Sequence, residues 1–234
     1  MVQQALLVPW RRRSDFAWAL AVPLALLAGL SLAWYFAEAL LRQVQGGWLF
    51  VLYWGVFAAF FTLFAVTCHR LVLLPSGRVR GIQSPRWSAR ESRFLFWVIT
   101  LWIVYLVVWW VGMLVGANLL PNDVVAGWLK VIESLASLPA LYLIARLSLV
   151  FPATAIDQPA GLRWAWRASR GNGWRLVVVV TVLPWLVSHL VGLLYRDEAT
   201  AAEIVLLTVF GTALFALEIA ALSVAYRELV RNEL

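Results

Sequence analysis

The chain of 234 residues is 63% hydrophobic and only 13% charged, and its mean hydropathy is +0.84. Soluble domains carry about 25% charged residues, so this composition argues against a soluble globular protein and favours membrane integration. The net charge of +7 comes mainly from arginines in short connections between apolar runs. That pattern is typical of a membrane face beside anionic lipids rather than of a nucleic-acid-binding protein. A single cysteine, Cys68, excludes an intrachain disulfide.

Several apolar segments are long enough to cross a membrane, which takes about 20 residues. In chain order they are residues 16–41, 48–74, 94–120, 124–150, 176–195 and 201–226. Each is predicted to be a helix because unpaired backbone is too costly in lipid, and Pro184 is expected to kink the fifth. The first follows the arginines at 11–13 and lacks a clear cleavage site, so it is predicted to be a signal anchor. We therefore predict an all-α polytopic membrane protein in which residues 1–234 form a single domain of six transmembrane helices.

Basic residues alternate between rich and poor connections along the chain. The N-terminal tail has three, 42–47 has one, 75–93 has five, 121–123 has none, 151–175 has four, 196–200 has one beside two acidic residues, and the C-terminal tail has two. The positive-inside rule then places both termini and both long loops in the cytoplasm, which leaves three tight hairpins. We expect a multi-pass protein of a bacterial inner membrane.

The second long loop carries the segment LRWAWRASRGNGWRL, residues 162–176. On a helix its first three arginines share one stripe, and the glycines at 171 and 173 are expected to stop that helix. We predict a short amphipathic helix in the membrane interface between the fourth and fifth spans. The candidate lipid-binding residues are Arg163, Trp166, Arg167, Arg170, Trp174 and Arg175. They serve either as a general anchor that sets topology or as a specific site for an anionic phospholipid or a partner's acidic tail.

Ionisable residues within the spans are candidate functional groups, because charge is expensive inside a membrane. They are Lys130, Glu133, Arg146, His189 and Glu218. Lys130 and Glu133 are three positions apart and can pair on one helix face, while Arg146 can reach towards Glu218 or the membrane surface. The set forms either a proton or ion path through Glu133, His189 and Glu218 or a group of structural pairs that hold helices together.

Catalytic and metal-binding motifs are lacking in the sequence. It contains no G-x-S-x-G, no H-E-x-x-H and no cluster of Cys, His or carboxylates with metal-ligand spacing. His69 and Arg70, at the end of the second span, are expected at the membrane interface rather than in a catalytic site. We therefore expect a non-enzymatic protein with no cofactor and no metal.

Two further patterns bear on helix packing. GMLVG, residues 112–116, is a G-x-x-x-G motif in the third span, and we expect it to pack within the chain rather than across a dimer seam. Trp102, Trp109 and Trp110 lie deep in the same span. They can face lipid, a bound pigment or quinone, or another subunit, and simple filling of the helix face is favoured.

Four segments carry a resemblance to a known group of proteins. They are CHRLVLLPSG at 68–77, ARLSLVFPATAID at 145–157, AWRASRGNGWRL at 165–176 and AYREL at 225–229. The chain resembles uncharacterised bacterial multi-span inner-membrane proteins, which are similar to the membrane domain of glycerophosphodiester phosphodiesterases and to YciC-like proteins. The resemblance implies no activity, because the soluble phosphodiesterase domain has no counterpart here. It marks Arg146, Pro152, Trp166, Arg170 and Gly171 as positions to test.

Two functional hypotheses follow. The first is a non-enzymatic accessory or assembly subunit of a membrane complex, with a cytoplasmic face that binds anionic phospholipid and with other membrane proteins as partners. The second is a small transporter or lipid-handling protein that uses Glu133, His189 and Glu218. An aromatic stripe that no part of the chain covers would support a partner subunit. Neither hypothesis involves nucleic acid.

Overall fold

The structure is a computed structural model that describes residues 21–22, 25–30, 32–34, 37, 47–75, 87–119, 122–182, 184–186 and 200–231. Within these ranges the chain is helical and contains no strand. Seven α-helices have both ends within the described ranges: α1 (Gly47–Leu73), α2 (Ala89–Leu119), α3 (Asn122–Leu147), α4 (Val150–Ala155), α5 (Leu162–Ala168), α6 (Gly173–Val177) and α7 (Ala201–Arg231). A π-helical turn, Val178–Val182, follows α6 directly.

Four helices are long and apolar enough to span a membrane: Gly47–Leu73, Ala89–Gly116, Val131–Ala155 and Ala201–Val230. They correspond to the second, third, fourth and sixth predicted spans, and they are compatible with an integral membrane protein. The first predicted span falls mostly outside the described residues, and the fifth is described only as far as residue 186. The six-span count, the three hairpins and the cytoplasmic termini therefore stay predictions.

The hydrophobic core lies at one end of the bundle. The first half of α1 is exposed, whereas its last turns are buried; α4 is almost wholly buried, and so is α7 from residue 216 to residue 226. This is the end where α1, α3 and α7 finish and where α2, α5 and α6 begin. We call it the basic end, because it carries the arginines at 70, 90, 93, 146, 163, 167, 170, 175 and 227.

The α2 and α3 helices pack closely along most of their length. A Cβ built at Gly112 would lie 2.8 Å from the Ala136 Cβ, and one at Gly116 would collide with Ile132. The pairing of 112 with 136 and of 116 with 132 runs antiparallel. The prediction that the G-x-x-x-G motif packs within the chain is therefore confirmed.

The chain between α3 and α7 changes direction through a series of short breaks. A turn at residues 148–149 separates α3 from α4, and Asp157 beyond α4 has a φ of 61°. The α5 helix ends at Ala168, three residues before Gly171, which has a φ of 76°. Glycine adopts this left-handed conformation without penalty, so the expected stop of the helix at the glycines is confirmed.

The π-helical turn at Val178–Val182 lies just before Pro184. Proline has no N–H to donate, and its ring crowds the carbonyl four residues earlier, so an ordinary α-helix cannot run through this position undisturbed. A π-turn widens the helix by one residue and relieves that crowding. The predicted interruption of the fifth span at Pro184 is thus present as a local π-turn.

Candidate functional site

Asp157 is the centre of an ion-pair cluster at the basic end. Its Oδ2 lies 2.8 Å from Arg90 Nη2, and its Oδ1 lies 3.2 Å from Arg93 Nη2. Arg90 Nε also donates to both carboxylate oxygens, at 3.1 and 3.0 Å. Arg70 Nη1 approaches Asp157 to 3.7 Å and donates to the Ala155 carbonyl at 3.1 Å. One carboxylate thereby ties the end of α1 and the first turn of α2 to the end of α4.

The first turn of α2 is held by a capping box. The backbone N–H of Ser88 donates to Glu91 Oε2 at 2.9 Å, and the Ser88 hydroxyl donates to the same oxygen. Ser88 is followed three residues later by Glu91, which is the spacing this cap requires. Glu91 is buried, and its Oε1 lies 3.6 Å from Arg90 Nη1. The cap therefore fixes the helix start from which Arg90 and Arg93 reach Asp157.

Arg146, at the end of α3, is a buried arginine that binds α5. Its Nε donates to Ser169 Oγ at 2.9 Å, and its Nη2 donates to the Trp166 carbonyl at 2.7 Å. Its guanidinium carbon lies 3.4 Å from the centre of the Trp166 ring, within the range of a cation–π interaction. The predicted reach of Arg146 towards Glu218 or the surface was wrong, because α5 folds back over the end of α3 and supplies the acceptors.

The six predicted lipid-binding residues are all exposed at the basic end: Arg163, Trp166, Arg167, Arg170, Trp174 and Arg175. Trp174 is 74% exposed, while one face of its ring lies against Tyr142 at a centroid distance of 5.4 Å. Arg175 donates to Asn172 Oδ1 at 3.1 Å. Among the residues that the structure describes, no acidic side chain pairs with any of these four arginines.

The three described members of the predicted buried polar set, Glu133, Arg146 and Glu218, do not lie together as one cluster. His189 and the Lys130 side chain lie outside the described residues. Glu133 was predicted to be buried, but its side chain is exposed on the described surface, because this half of α3 buries only the row formed by Ile132, Ala136 and Ala140. Glu218 is buried, as predicted, and it lines a cavity.

His69, which was expected at the membrane interface rather than in a catalytic site, has its side chain inside the protein core. Its side chain is 1% exposed, and its Nδ1 lies 2.7 Å from Ser223 Oγ on α7. Ser223 also donates to the Ile219 carbonyl at 2.9 Å. The small residues on this face of α7 let the imidazole enter the core, and the apolar turns before and after His69 are the only sequence signal for that burial.

The cavity beside Glu218 has a volume of about 230 Å³ as bounded by the described residues. Its polar lining residues are His69, Ser148 and Glu218, and its remaining lining is apolar. A larger cavity of about 570 Å³ lies among α1, α2 and α7. The two share Phe61, Val98 and Phe215 in their walls.

Metal-ligand clusters of three or more His, Cys, Asp or Glu side chains are absent from the described ranges. No family model, curated protein or solved structure matches the chain. The resemblance to the membrane domain of glycerophosphodiester phosphodiesterases and to YciC-like proteins therefore stays a prediction.

Proposed function

We propose that this chain is an integral membrane protein whose basic end binds anionic phospholipid headgroups. One observation carries the proposal: among the residues that the structure describes, eight of the nine arginines of this end fall into two sets, an inner set that is bonded within the protein and an outer set that has no acidic partner. The inner set is Arg70, Arg90, Arg93 and Arg146. The outer set is Arg163, Arg167, Arg170 and Arg175.

The outer set has the geometry of a headgroup-binding surface. The α5 helix buries Ala165 and Ala168 against the bundle, so Arg163 and Arg167 point away from it. Guanidinium groups in this position attract anionic lipid, at about 1 kcal/mol for each charge near the surface. Trp166 and Trp174 are exposed beside them, and amphipathic indole rings favour headgroup depth.

Arg146 gives this surface a fixed position. It binds the backbone of Trp166 and the hydroxyl of Ser169, so α5 is attached to the end of α3 rather than carried on a free loop. A pre-positioned surface loses less conformational entropy when it binds than a flexible one does. This supports selective binding of a headgroup over a purely general anchor.

Lipid retention tests the proposal. The protein is placed in nanodiscs of equal phosphatidylglycerol and phosphatidylcholine, extracted gently, and weighed by native mass spectrometry. We expect the retained lipid to be enriched in phosphatidylglycerol. The combined variant Arg163→Gln, Arg167→Gln and Arg170→Gln should lower that enrichment by about tenfold to a hundredfold, because up to about 1 kcal/mol is lost with each of three surface charges.

Two matched controls distinguish the effect of positive charge at the outer set from the effect of positive charge elsewhere at the basic end. Lysine at the same three positions keeps the positive charge and should retain most of the enrichment. Arg90→Gln removes a charge from the inner set and should leave the enrichment unchanged while lowering stability. If the triple glutamine variant retains the wild-type lipid ratio, the proposal is wrong.

We further propose that the protein is an accessory or assembly subunit of a membrane complex. The outward face of α2 supports this role, since the most apolar stretch of that helix is only 6% buried and Trp102 and Trp110 are 60% and 57% exposed. Native mass spectrometry after gentle extraction from the protein's own membranes tests it. Other membrane proteins at fixed stoichiometry are expected, and a chain that always emerges alone would contradict the role.

A transport path through Glu133, His189 and Glu218 has less support. Of these residues, Glu218 lines a described cavity, whereas Glu133 is exposed on the described surface. A path also needs a polar route to both faces, and apart from Glu218, His69 and Ser148 the described lining of that cavity is apolar. The lipid-binding surface is therefore our principal proposal.

A further inference from the structure

We propose that the cavity beside Glu218 is a binding site for a slender apolar molecule whose polar end is a hydrogen-bond donor, a hydroxyl or an amine. This site is separate from the headgroup surface of α5 and does not depend on it. Ligand sites are typically mostly apolar with a few placed polar groups, and this cavity has that character. Its polar groups come from three helical segments: His69 from α1, Ser148 from the turn after α3, and Glu218 from α7.

The hydrogen bonds around His69 fix which nitrogen is free. The Ser223 hydroxyl has one hydrogen, and it donates that hydrogen to the Ile219 carbonyl at 2.9 Å. We therefore assign His69 Nδ1 as the donor to the Ser223 oxygen, at 2.7 Å. In the neutral ring this leaves Nε2 as an unprotonated acceptor. His69 lines the cavity and has no other hydrogen-bond partner among the described residues.

The other two polar groups also present acceptors. The Ser148 hydroxyl donates to the Ala145 carbonyl at 2.8 Å, so its oxygen faces its surroundings with lone pairs only. Glu218 is 8% exposed, and its carboxyl group has neither a hydrogen bond nor an ion pair within the described part of the chain. A carboxyl group accepts hydrogen bonds in either protonation state. The cavity thus offers three acceptors, which a donor on the ligand would satisfy.

The apolar part of the ligand has a place in the larger cavity. Phe61, Val98 and Phe215 border both spaces, so the two cavities are neighbours separated only by these side chains, and a ligand chain would pass between them by moving one of the two phenylalanine rings aside. The larger cavity has mostly aromatic and aliphatic walls, with Trp54 and Trp102 among them. An apolar ligand chain in the larger cavity would cover wall residues that otherwise contact lipid or water. The short polar head of the ligand would stay in the smaller cavity, beside the three acceptors. This arrangement selects a single-chain amphiphile over a small polar solute.

Photo-crosslinking with matched probes tests the site. The full chain is placed in phosphatidylcholine liposomes, which remove any contribution from anionic lipid. The probes are mid-chain diazirine derivatives of dodecanol, of dodecylamine and of the methyl ether of dodecanol, and mass spectrometry maps the labelled residues. The ether keeps the chain and the oxygen but lacks the donor. The ether leaves the buried acceptors without a donor, which is unfavourable, so the alcohol should label the lining of α1 and α7 about tenfold more than the ether does.

Two substitutions locate the binding. Ala65→Leu adds side-chain volume to the wall beside His69 and should reduce labelling by the alcohol and the amine, whereas Ala213→Leu on the exposed side of α7 should change neither. Glu218→Leu removes the acceptor oxygens and should reduce labelling by both donor probes, whereas Glu218→Gln keeps an acceptor and should retain labelling by the alcohol. Excess dodecanol should compete with both donor probes. Equal labelling by alcohol and ether, or labelling that spreads over the exposed face of α2 without competition, would overturn the proposal.

Discussion

Arg146 lies with its guanidinium carbon 3.4 Å from the centre of the Trp166 ring and donates a hydrogen bond to the Trp166 carbonyl at 2.7 Å. The same side chain therefore contacts both the backbone and the ring of one residue on α5. Because Trp166 belongs to the exposed surface of α5, a buried arginine sets the position of a surface that is proposed to meet lipid. Arg146 thus connects the stability of the bundle to the position of the proposed lipid-binding surface, and its substitution is the first one to measure.

Arg146→Ala is expected to lower the free energy of unfolding by about 2–4 kcal/mol. The loss combines charge-assisted hydrogen bonds to Ser169 and Trp166 with a desolvated cation–π contact. Arg146→Lys keeps the charge but lacks the planar fork that reaches both acceptors, so it should recover only part of the loss. Unfolding in detergent with increasing dodecyl sulfate, followed by circular dichroism, measures the effect. A lysine variant as stable as the wild type would show that charge alone suffices.

Asp157 has a left-handed backbone conformation and three arginine neighbours. Its substitutions can therefore separate the cost of the backbone strain from the contribution of the carboxylate charge. Asparagine tolerates the φ of 61° but has no charge, glycine relieves the backbone strain, and alanine loses the charge and keeps the strain. We expect Asp157→Ala to be less stable than Asp157→Gly by about 1 kcal/mol, which is the cost of the left-handed conformation. The same dodecyl sulfate unfolding series compares the two variants.

The contribution of the Asp157 charge to stability is measured by the dependence of the free energy of unfolding on salt concentration. Its side chain is 45% exposed, so its ion pairs with Arg90 and Arg93 are partly screened by dissolved ions. Raising the salt concentration should lower the stability of the wild type and change that of Asp157→Asn much less. Parallel salt curves for the two proteins would mean that the pairs contribute nothing measurable.

The long helices could be predicted from the sequence, whereas the contacts between them could not. Apolar runs of sufficient length predict α1, α2 and α7, because a helix that spans a membrane is recognised by its length and its apolar composition. His69 and Ser223 are 154 positions apart, and no local pattern connects them. The position of Asp157 depends on the turn after α3, which brings α4 back against α1 and α2.

The exposed surface of α5 was more predictable than the buried polar groups. Amphipathic spacing placed its arginines on one side, and burial of Ala165 and Ala168 leaves that side exposed. The position of Arg146 near a helix end could be predicted from the apolar run before it, but the acceptors of its hydrogen bonds could not. Those acceptors, the Trp166 carbonyl and Ser169 Oγ, come from a segment folded back by the breaks at residues 148–149 and 157.

Removal of the cap at the start of α2 should have a local effect. Ser88→Ala deletes the hydroxyl that bonds Glu91, and loss of an N-terminal serine cap costs about 1 kcal/mol. Hydrogen exchange of the first turn of α2 should become faster while the core of α7 keeps its protection. Ser92→Ala is the matched control, because it removes a hydroxyl that bonds Trp87 Nε1 and the Ser88 carbonyl but not Glu91. Similar exchange in both variants would argue against the cap.

The close approach of α2 and α3 gives a steric prediction. Gly112→Ala would place a Cβ 2.8 Å from the Cβ of Ala136, and Gly116→Ala would collide with Ile132. Both substitutions should destabilise the protein by about 1–3 kcal/mol, because a packed backbone contact cannot absorb an added methyl group without shifting. Gly55→Ala on α1 is the control, since open space surrounds that position.

A second substitution tests whether the collision itself is the cause. Ile132→Ala removes the side chain that a Cβ at position 116 would meet, so Gly116→Ala should cost less in that background than in the wild type. The double-mutant cycle is measured by dodecyl sulfate unfolding of the four proteins. A favourable coupling energy of about 1 kcal/mol or more is expected for contacting residues. Strictly additive effects would mean that Gly116 is needed for its backbone flexibility and not for the space it leaves to Ile132.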